Sequence, residues 1–282
     1  MSCTTPDPGD LPEIVETLAR WQPAGGSVTQ VHPGDLGWFQ RFGAERTAEA
    51  VRRWSRDGET VAIGLLDEPD YLRLAFAPAA LADTGLGDEI ARDLAEVLVD
   101  GKAYADPPTG AAVRASLSGW VADDPWILLH RDLTQPVEAM AELDIERVDA
   151  GTAAQRVVVQ RGAFDGSTFT IERWYEMAAG AAYRDAVCLL GRDKQGNPVA
   201  ATTVWSAGPG RPGIIEPMGV HRAARGHGYG RAITMAGAAA LRDLGASGAD
   251  VATPAFNTGA VATYESAGFV RHEETRALVR PE

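Results

Sequence analysis

The stretch that most constrains this chain runs G-I-I-E-P-M-G-V-H-R-A-A-R-G-H-G-Y-G over residues 213–230. Ile214, Ile215, Met218 and Val220 form the apolar, β-branched run of a buried strand. A basic, glycine-rich turn follows, and then an alanine- and methionine-rich segment that predicts a helix over about 228–244. Arg225, Gly226, Gly228 and Gly230 fall where that helix begins. Glycines there let successive backbone N–H groups converge on one point. The helix start adds partial positive charge, so the turn can hold a phosphate. Arg225 and Arg231 place full charges beside it.

Three phosphate-binding patterns compete for this segment. A Walker loop requires G-x-x-x-x-G-K-[ST], and its Lys-Ser/Thr pair is absent. A dinucleotide fingerprint requires G-x-G-x-x-G directly after the strand and an acid closing the next one. Here residues 221–225 intervene, the spacing is G-x-G-x-G, and Asp250 opens the next strand. The third pattern is R-x-x-G-x-G, Arg225 to Gly230, after a strand ending in Gly219 and Val220. It resembles the pyrophosphate loop of the GCN5-related N-acetyltransferase (GNAT) superfamily. A second strand over 249–253 then completes a right-handed βαβ crossover. Asn257, the helix T-G-A-V-A-T-Y-E-S-A-G-F that follows it, Tyr264, Glu265 and Gly268-Phe269 resemble the next segment of that family in register. The resemblance covers the chain from about Ile145 onward.

The 282 residues suffice for one or two domains with ample apolar content for a core. A net charge of −13 argues against nonspecific binding to nucleic acid or an anionic membrane. It suits a cationic acceptor and suits solubility equally. Cys3 and Cys188 make neither a disulfide framework nor a metal cluster, and His272-Glu273-Glu274 lacks the second histidine of a zinc site, so no metal is expected. No charged-then-apolar leader opens the chain and no apolar run could span a bilayer, so the expectation is a cytoplasmic protein without a membrane partner.

The first half repeats the second. T-G-A-A-V-R-A-S-L-S-G-W from Thr109 sets against T-G-A-V-A-T-Y-E-S-A-G-F from Thr258 without a gap, an offset of 149 (258 − 109). Upstream, residues 85–90 set against 228–233, an offset of 143 (228 − 85). The first half reads as an N-terminal ten residues that are disordered or loosely docked, a helix over 11–21, a strand over 27–32 and helices over 35–42 and 44–56. Strands over 60–66 and 71–76, a helix over 87–99, a strand over 102–105, a helix over 110–117 and a strand over 126–131 follow. The expected architecture is α/β with mixed α+β sheets, in two tandem GNAT-like domains. Residues 1–26 form an extension, 27–133 a GNAT-like lobe, 134–144 a linker and 145–282 the N-acetyltransferase domain. In the second domain, strands at 144–148, 186–192, 198–206 and 213–220 and helices at 152–163 and 171–180 precede the loop. A last strand is read over 270–279. The family carries one more strand there, so a sheet edge needs cover, from residues 126–130 or from the first lobe.

Differences between the halves mark the first as degenerate. Ala82 stands at the position of Arg225, Asp83 at Gly226 and Asp88 at Arg231. Acids at a helix start satisfy its N–H groups internally and repel a pyrophosphate. Pro108 replaces Asn257, Ala115 replaces Tyr264, and Arg73 stands at the position of Glu216.

The chemistry that the resemblance implies is direct attack of an amine on the thioester of acetyl-CoA. Pro217 inside the central strand and Pro254 at the end of its neighbour fall where the family's strands splay to admit the pantetheine arm, although a plain bulge would also accept them. Met218, Gly219, Val220, Arg225, Gly226, His227, Gly228, Tyr229, Gly230, Arg231 and Asn257 are the expected donor-binding residues. His227 and His221 are either phosphate contacts or solvated turn residues, and Asn257 either orients the donor or caps its helix. Glu216 is either the base that deprotonates the acceptor ammonium or a structural or acceptor-binding carboxylate. Backbone N–H groups of Gly219 or Val220 are available for the oxyanion. Tyr264 can protonate the departing thiolate. An acceptor pocket is expected between the first two helices and the sheet, from Phe164, Phe169, Trp174, Tyr175, Trp205 and Glu172. The expected activity is therefore N-acetyl transfer to a small-molecule or peptide amine, with a non-catalytic acyl-CoA sensor as the alternative; acceptor and oligomeric state stay open.

Overall fold

The computed structural model describes residues 1–138 and 140–281. Ala139, within the expected linker, and Glu282, at the end of the expected second domain, lie outside the described residues. In the first half, the edge strand β1 (Ser2–Thr4) leads to α1 (Leu11–Trp21), α2 (Pro33–Phe39) and α3 (Ala44–Ala50). Strands β2 (Val51–Arg56), β3 (Glu59–Glu68) and β4 (Tyr71–Phe76) follow, then α4 (Thr84–Val97), β5 (Ala103–Asp106), α5 (Val113–Ser116), β6 (Val121–Ala122) and β7 (Trp126–Asp132). The second half runs through β8 (Asp144–Arg147), α6 (Ala153–Ala163), α7 (Ile171–Ala179), β9 (Ala186–Arg192), β10 (Pro198–Trp205) and β11 (Gly213–Val220). It ends with α8 (Tyr229–Asp243), β12 (Gly248–Pro254), α9 (Thr258–Ser266), β13 (Val270–Thr275) and β14 (Leu278–Arg280).

These strands form two seven-stranded mixed sheets, ordered β1-β2-β3-β4-β5-β14-β6 and β13-β7-β12-β11-β10-β9-β8. The sheets have the same plan and exchange one strand each. β7, from the first half, lies antiparallel between β12 and β13; β14, from the chain's end, lies between β5 and β6. Residues 126–132 thus enter the second sheet as expected, but inside it, and β13 remains the edge. The single strand expected over 270–279 is two strands serving different sheets. The exchange ties the halves together through backbone ladders as well as side-chain packing.

Three apolar clusters follow from the period-2 alternation of the strands. Leu72, Leu74 and Phe76 of β4 face α4 and α5 on the outside of the first sheet. Ile215, Val251 and Leu129 meet α8 and α9 on the outside of the second. Between the sheets, α1, α2, α3, α6 and α7 pack with Ile63, Leu65, Ala75, Leu190, Ala201 and Ile214 in a shared central core. Gly34 and Gly37 lie on one face of α2 and press on the Trp205 ring, where a Cβ on Gly37 would come within 2.3 Å of it. No larger residue fits that approach.

Three local expectations differ. The helix expected over 44–56 stops at Ala50, because Val51 and Trp54 are needed in the ladder with β3. The strand expected over 27–32 is irregular: Ser27 Oγ and the Val28 N–H donate to Asp250 at 2.6 and 2.9 Å, and the Gln30 carboxamide accepts from the Phe76 N–H at 2.9 Å. The first ten residues are docked, with Ser2–Thr4 paired along β2 and Leu11 and Ile14 of α1 buried.

Candidate active site

The central strand β11 and its parallel neighbour β12 pair only at Gly213 with Ala249 and Ile214 with Asp250. Beyond that they separate, at the expected pair of prolines, Pro217 and Pro254. The Glu216 and Pro217 carbonyls are taken by Trp205 Nε1 (2.6 Å) and Thr202 Oγ1 (3.1 Å). Further along, the His221 N–H donates to the Val199 carbonyl of β10 at 2.8 Å. Antiparallel alternation then turns the Val220 N–H away from β10, into the gap. It is the better placed of the two expected oxyanion donors, since that of Gly219 points to β10. The gap opens into a cavity of about 1290 Å³ that runs between the two halves of the chain.

At one end of the cavity is the glycine-rich turn. Gly226 and Gly228 have φ of +83° and +80°, which other residues adopt only with strain. Gly228 is the N-cap of α8 and offers no side chain, so the first N–H groups of the helix face the turn without an intrahelical partner. Arg225, Gly226, Gly228, Tyr229, Gly230, Arg231 and Asn257 all line this end. The basic residues also fasten the turn to the end of α6. Arg225 Nη2 donates to the Ala163 carbonyl (2.8 Å), and Arg222 Nε to that of Gly162 (3.0 Å). His227 stands outside the wall, its ring stacked on Tyr229 at 5.6 Å. His221 accepts from the Ala223 N–H within its own turn. Asn257 caps α9 by accepting from the Ala260 N–H at 3.2 Å.

The corresponding helix start in the first half is closed. Asp83 caps α4 by accepting from the Leu86 N–H at 2.9 Å and pairs with Arg56 at 2.7 Å. An anion meets a carboxylate there instead of free N–H groups. The helix start of the first half is thus closed by its own side chain.

Glu216 and Tyr264 line the cavity together with Met218, Gly219 and Val220. Removal from bulk water pushes the Glu216 carboxyl up to about 8, and Asp35 and Asp67 add to the rise while Arg73 and Arg41 oppose it. Burial pushes the Tyr264 phenol up to about 12, with Glu216 contributing. The tyrosine is thus protonated across the neutral range. The glutamate is held well above the ordinary carboxylate range, as burial among other carboxylates requires.

The far end belongs to the first half. Asp35, Asp67, Arg73 and Asp106 line the cavity there, and Arg73 Nη1 lies 2.7 Å from Asp35 and 3.5 Å from Asp67. Apart from Arg73, noted as the counterpart of Glu216, these residues were not expected. Strand alternation was the signal: Asp67, Arg73 and Asp106 share the parity that faces away from α4. The aromatic acceptor pocket is corrected. Only Phe164 of that set lines the cavity. Phe169, Trp174 and Trp205 are in the central core because α2 covers the ground they were expected to enclose, and Tyr175 and Glu172 are exposed. Asp250 is buried, held by Ser27, Val28 and His130 (3.0 Å), and so is spent on structure.

The Acetyltransferase (GNAT) family model matches residues 159–269, from α6 through the turn to the end of α9. A mycothiol acetyltransferase of Nocardia farcinica is 30% identical over 226 residues, 72% of this chain and 72% of that protein. The chain belongs to the GNAT acetyltransferase family. A mycothiol acetyltransferase of Gordonia bronchialis is 32% identical over 197 residues, 64% of this chain and 62% of that one. The fold is that of a GNAT acetyltransferase from Colwellia psychrerythraea (TM-score 0.64, 13% identity, all of both chains). It is also that of a tandem GNAT protein from the clavulanic acid biosynthesis pathway (TM-score 0.61, 14% identity, 99% of this chain and 98% of the other). GNAT acetyltransferases use acetyl-CoA. Among the described residues no helix is long and apolar enough to cross a membrane.

Proposed function

We propose that the second lobe transfers the acetyl group of acetyl-CoA to a primary amine by direct attack within a ternary complex, and that residues 27–133 form a wall of the acceptor site. One observation carries this reading. A single cavity holds an uncapped helix start, an open strand gap, a buried glutamate whose pKa is raised and a protonated tyrosine, while the equivalent helix start of the first lobe is capped by its own Asp83.

In this reading the N–H groups at the start of α8 and the Arg225 and Arg231 side chains hold the pyrophosphate. The gap between β11 and β12 receives the pantetheine arm, beside Met218 and Asn257. Glu216 takes the proton of the incoming ammonium, the Val220 N–H faces the thioester oxygen, and Tyr264 returns a proton to the sulfur. The acceptor enters past Asp35, Asp67 and Asp106, whose excess of negative charge suits an ammonium. The named activity of the two relatives makes mycothiol chemistry the first place to look for the acceptor.

The test is thiol release from acetyl-CoA in the presence of a panel of amines, with the acetylated product identified by mass spectrometry. Amine-dependent release that Glu216→Gln abolishes is expected. Binding of acetyl-CoA with no release across the panel would overturn the transferase reading in favour of a sensor.

A further inference from the structure

The charge set at the far end of the cavity has a geometry that packing alone does not require. Arg73 is one guanidinium among three carboxylates, with Nη1 2.7 Å from Asp35 and 3.5 Å from Asp67, and Nε 4.0 Å from Asp106. Asp35 is fixed from its other side, where Oδ2 accepts the His32 N–H at 2.6 Å. Arg73 and Glu216 hold matching positions in the two repeats. Strand alternation points both to the space between the sheets: Ala75, two residues after Arg73, and Ile214, two before Glu216, both lie in the shared core. The repeat thus puts a cation of the first lobe and the carboxylate of the second into one cavity.

We infer that Arg73 is a positioning residue that the first lobe lends to the second: its guanidinium supplies the positive charge that allows Glu216 to act as an anion in this cavity, against the opposing charges of Asp35 and Asp67. The inference rests on the reading of Glu216 as the base. Asp35 of α2, Asp67 of β3, Arg73 of β4 and Tyr264 of α9 line the same cavity as Glu216, and the charges that act on it are those of Asp35, Arg73, Asp67 and Arg41 in the turn after α2. Arg41, with its guanidinium over the Trp38 and Phe42 rings 4.2 Å from each centroid and its Nη1 on the Trp38 carbonyl, is the second and weaker cation acting on Glu216. Asp106 acts on the set through Arg73. A carboxyl enclosed with like charges and no cation stays protonated and cannot accept a proton. The first lobe therefore sets the pH at which the second lobe works.

The sign is fixed by the charges. A base is active above its pKa, so the acidic limb of a kcat/KM profile follows Glu216. Removing the cation with Arg73→Met should move that limb up by about one pH unit, a tenfold loss at a fixed pH below it. Removing a carboxylate with Asp67→Asn should move it down, and Arg73→Lys should leave it within a few tenths of a unit. Arg73→Met strands the buried Asp35; Asp67, with its side chain 38% exposed, provides a variant that leaves the fold intact. ¹³C NMR titration of the Glu216 carboxyl, assigned with Glu216→Gln, reads the same shifts without turnover. Opposite displacements in Arg73→Met and Asp67→Asn support the inference. Displacement in the same direction, or a uniform fall in kcat with the Glu216 titration unmoved in Asp67→Asn, overturns it. Failure of wild type to turn over any amine overturns the function and leaves the NMR result to decide this inference.

Discussion

Installing the first lobe's own cap in the second is the most specific perturbation the structure suggests. Asp83 occupies the N–H of Leu86 at the start of α4, and the repeat sets Gly226, two residues before the Gly228 N-cap of α8, at the position of Asp83. Gly226→Asp should therefore bring a carboxylate into the turn whose open N–H groups a phosphate would otherwise meet. The displaced hydrogen bond is charge-assisted and worth about 1.5–3 kcal/mol. The backbone at φ +83° adds about 1 kcal/mol of strain for any side chain. Together these predict acetyl-CoA affinity about 10²–10³-fold weaker by calorimetry. Gly226→Ala carries the strain without the charge and should cost only about fivefold. Equal losses in both variants would show that conformation alone matters, and affinity within threefold of wild type in Gly226→Asp would refute the assignment of the turn as the anion site.

Other outcomes follow from the same geometry. With the Glu216 carboxyl pushed up to about 8, kcat/KM should rise with pH through the neutral range before levelling off, with Glu216→Gln about 10²–10⁴-fold slower and lacking the Glu216 limb. Persistence of an identical limb in that variant would assign it to the acceptor amine. Tyr264→Phe should lower kcat by about 10²–10⁴ while acetyl-CoA affinity changes little, because the ring's packing is kept; loss of binding instead would make Tyr264 a donor contact. Gly37→Val should destabilise the protein by about 2–4 kcal/mol in urea unfolding, since its side chain would overlap the Trp205 ring, and an unchanged midpoint would show that α2 can shift.

Much of the second lobe was legible because its signals are local. The turn at 225–230 needs glycine for its φ values, α8 begins within it at Tyr229, and the prolines mark the strand separation. The repeat exposed the degenerate helix start before the Asp83 cap was seen. The strand exchange was legible only in part. The offset of 149 carries on from α9 into β13, since Val270 matches Val121 (270 − 121), yet nothing local says which sheet the following strand joins. That choice is made by long-range backbone pairing. The acceptor end was misread for a related reason. Phe169, Trp174 and Trp205 look like a binding stripe until α2 arrives from 170 residues upstream of Trp205 with two glycines to lie on it (205 − 35). Asp35, Asp67 and Asp106 are far apart in sequence and meet only around Arg73.

Native mass spectrometry of the intact chain titrated with acetyl-CoA tests most directly the claim that one lobe works and the other walls it. A single bound acetyl-CoA per chain, abolished by Gly226→Asp and retained in Asp83→Ala, is the predicted result. Two bound molecules of equal affinity, or none at saturating concentration, would contradict it.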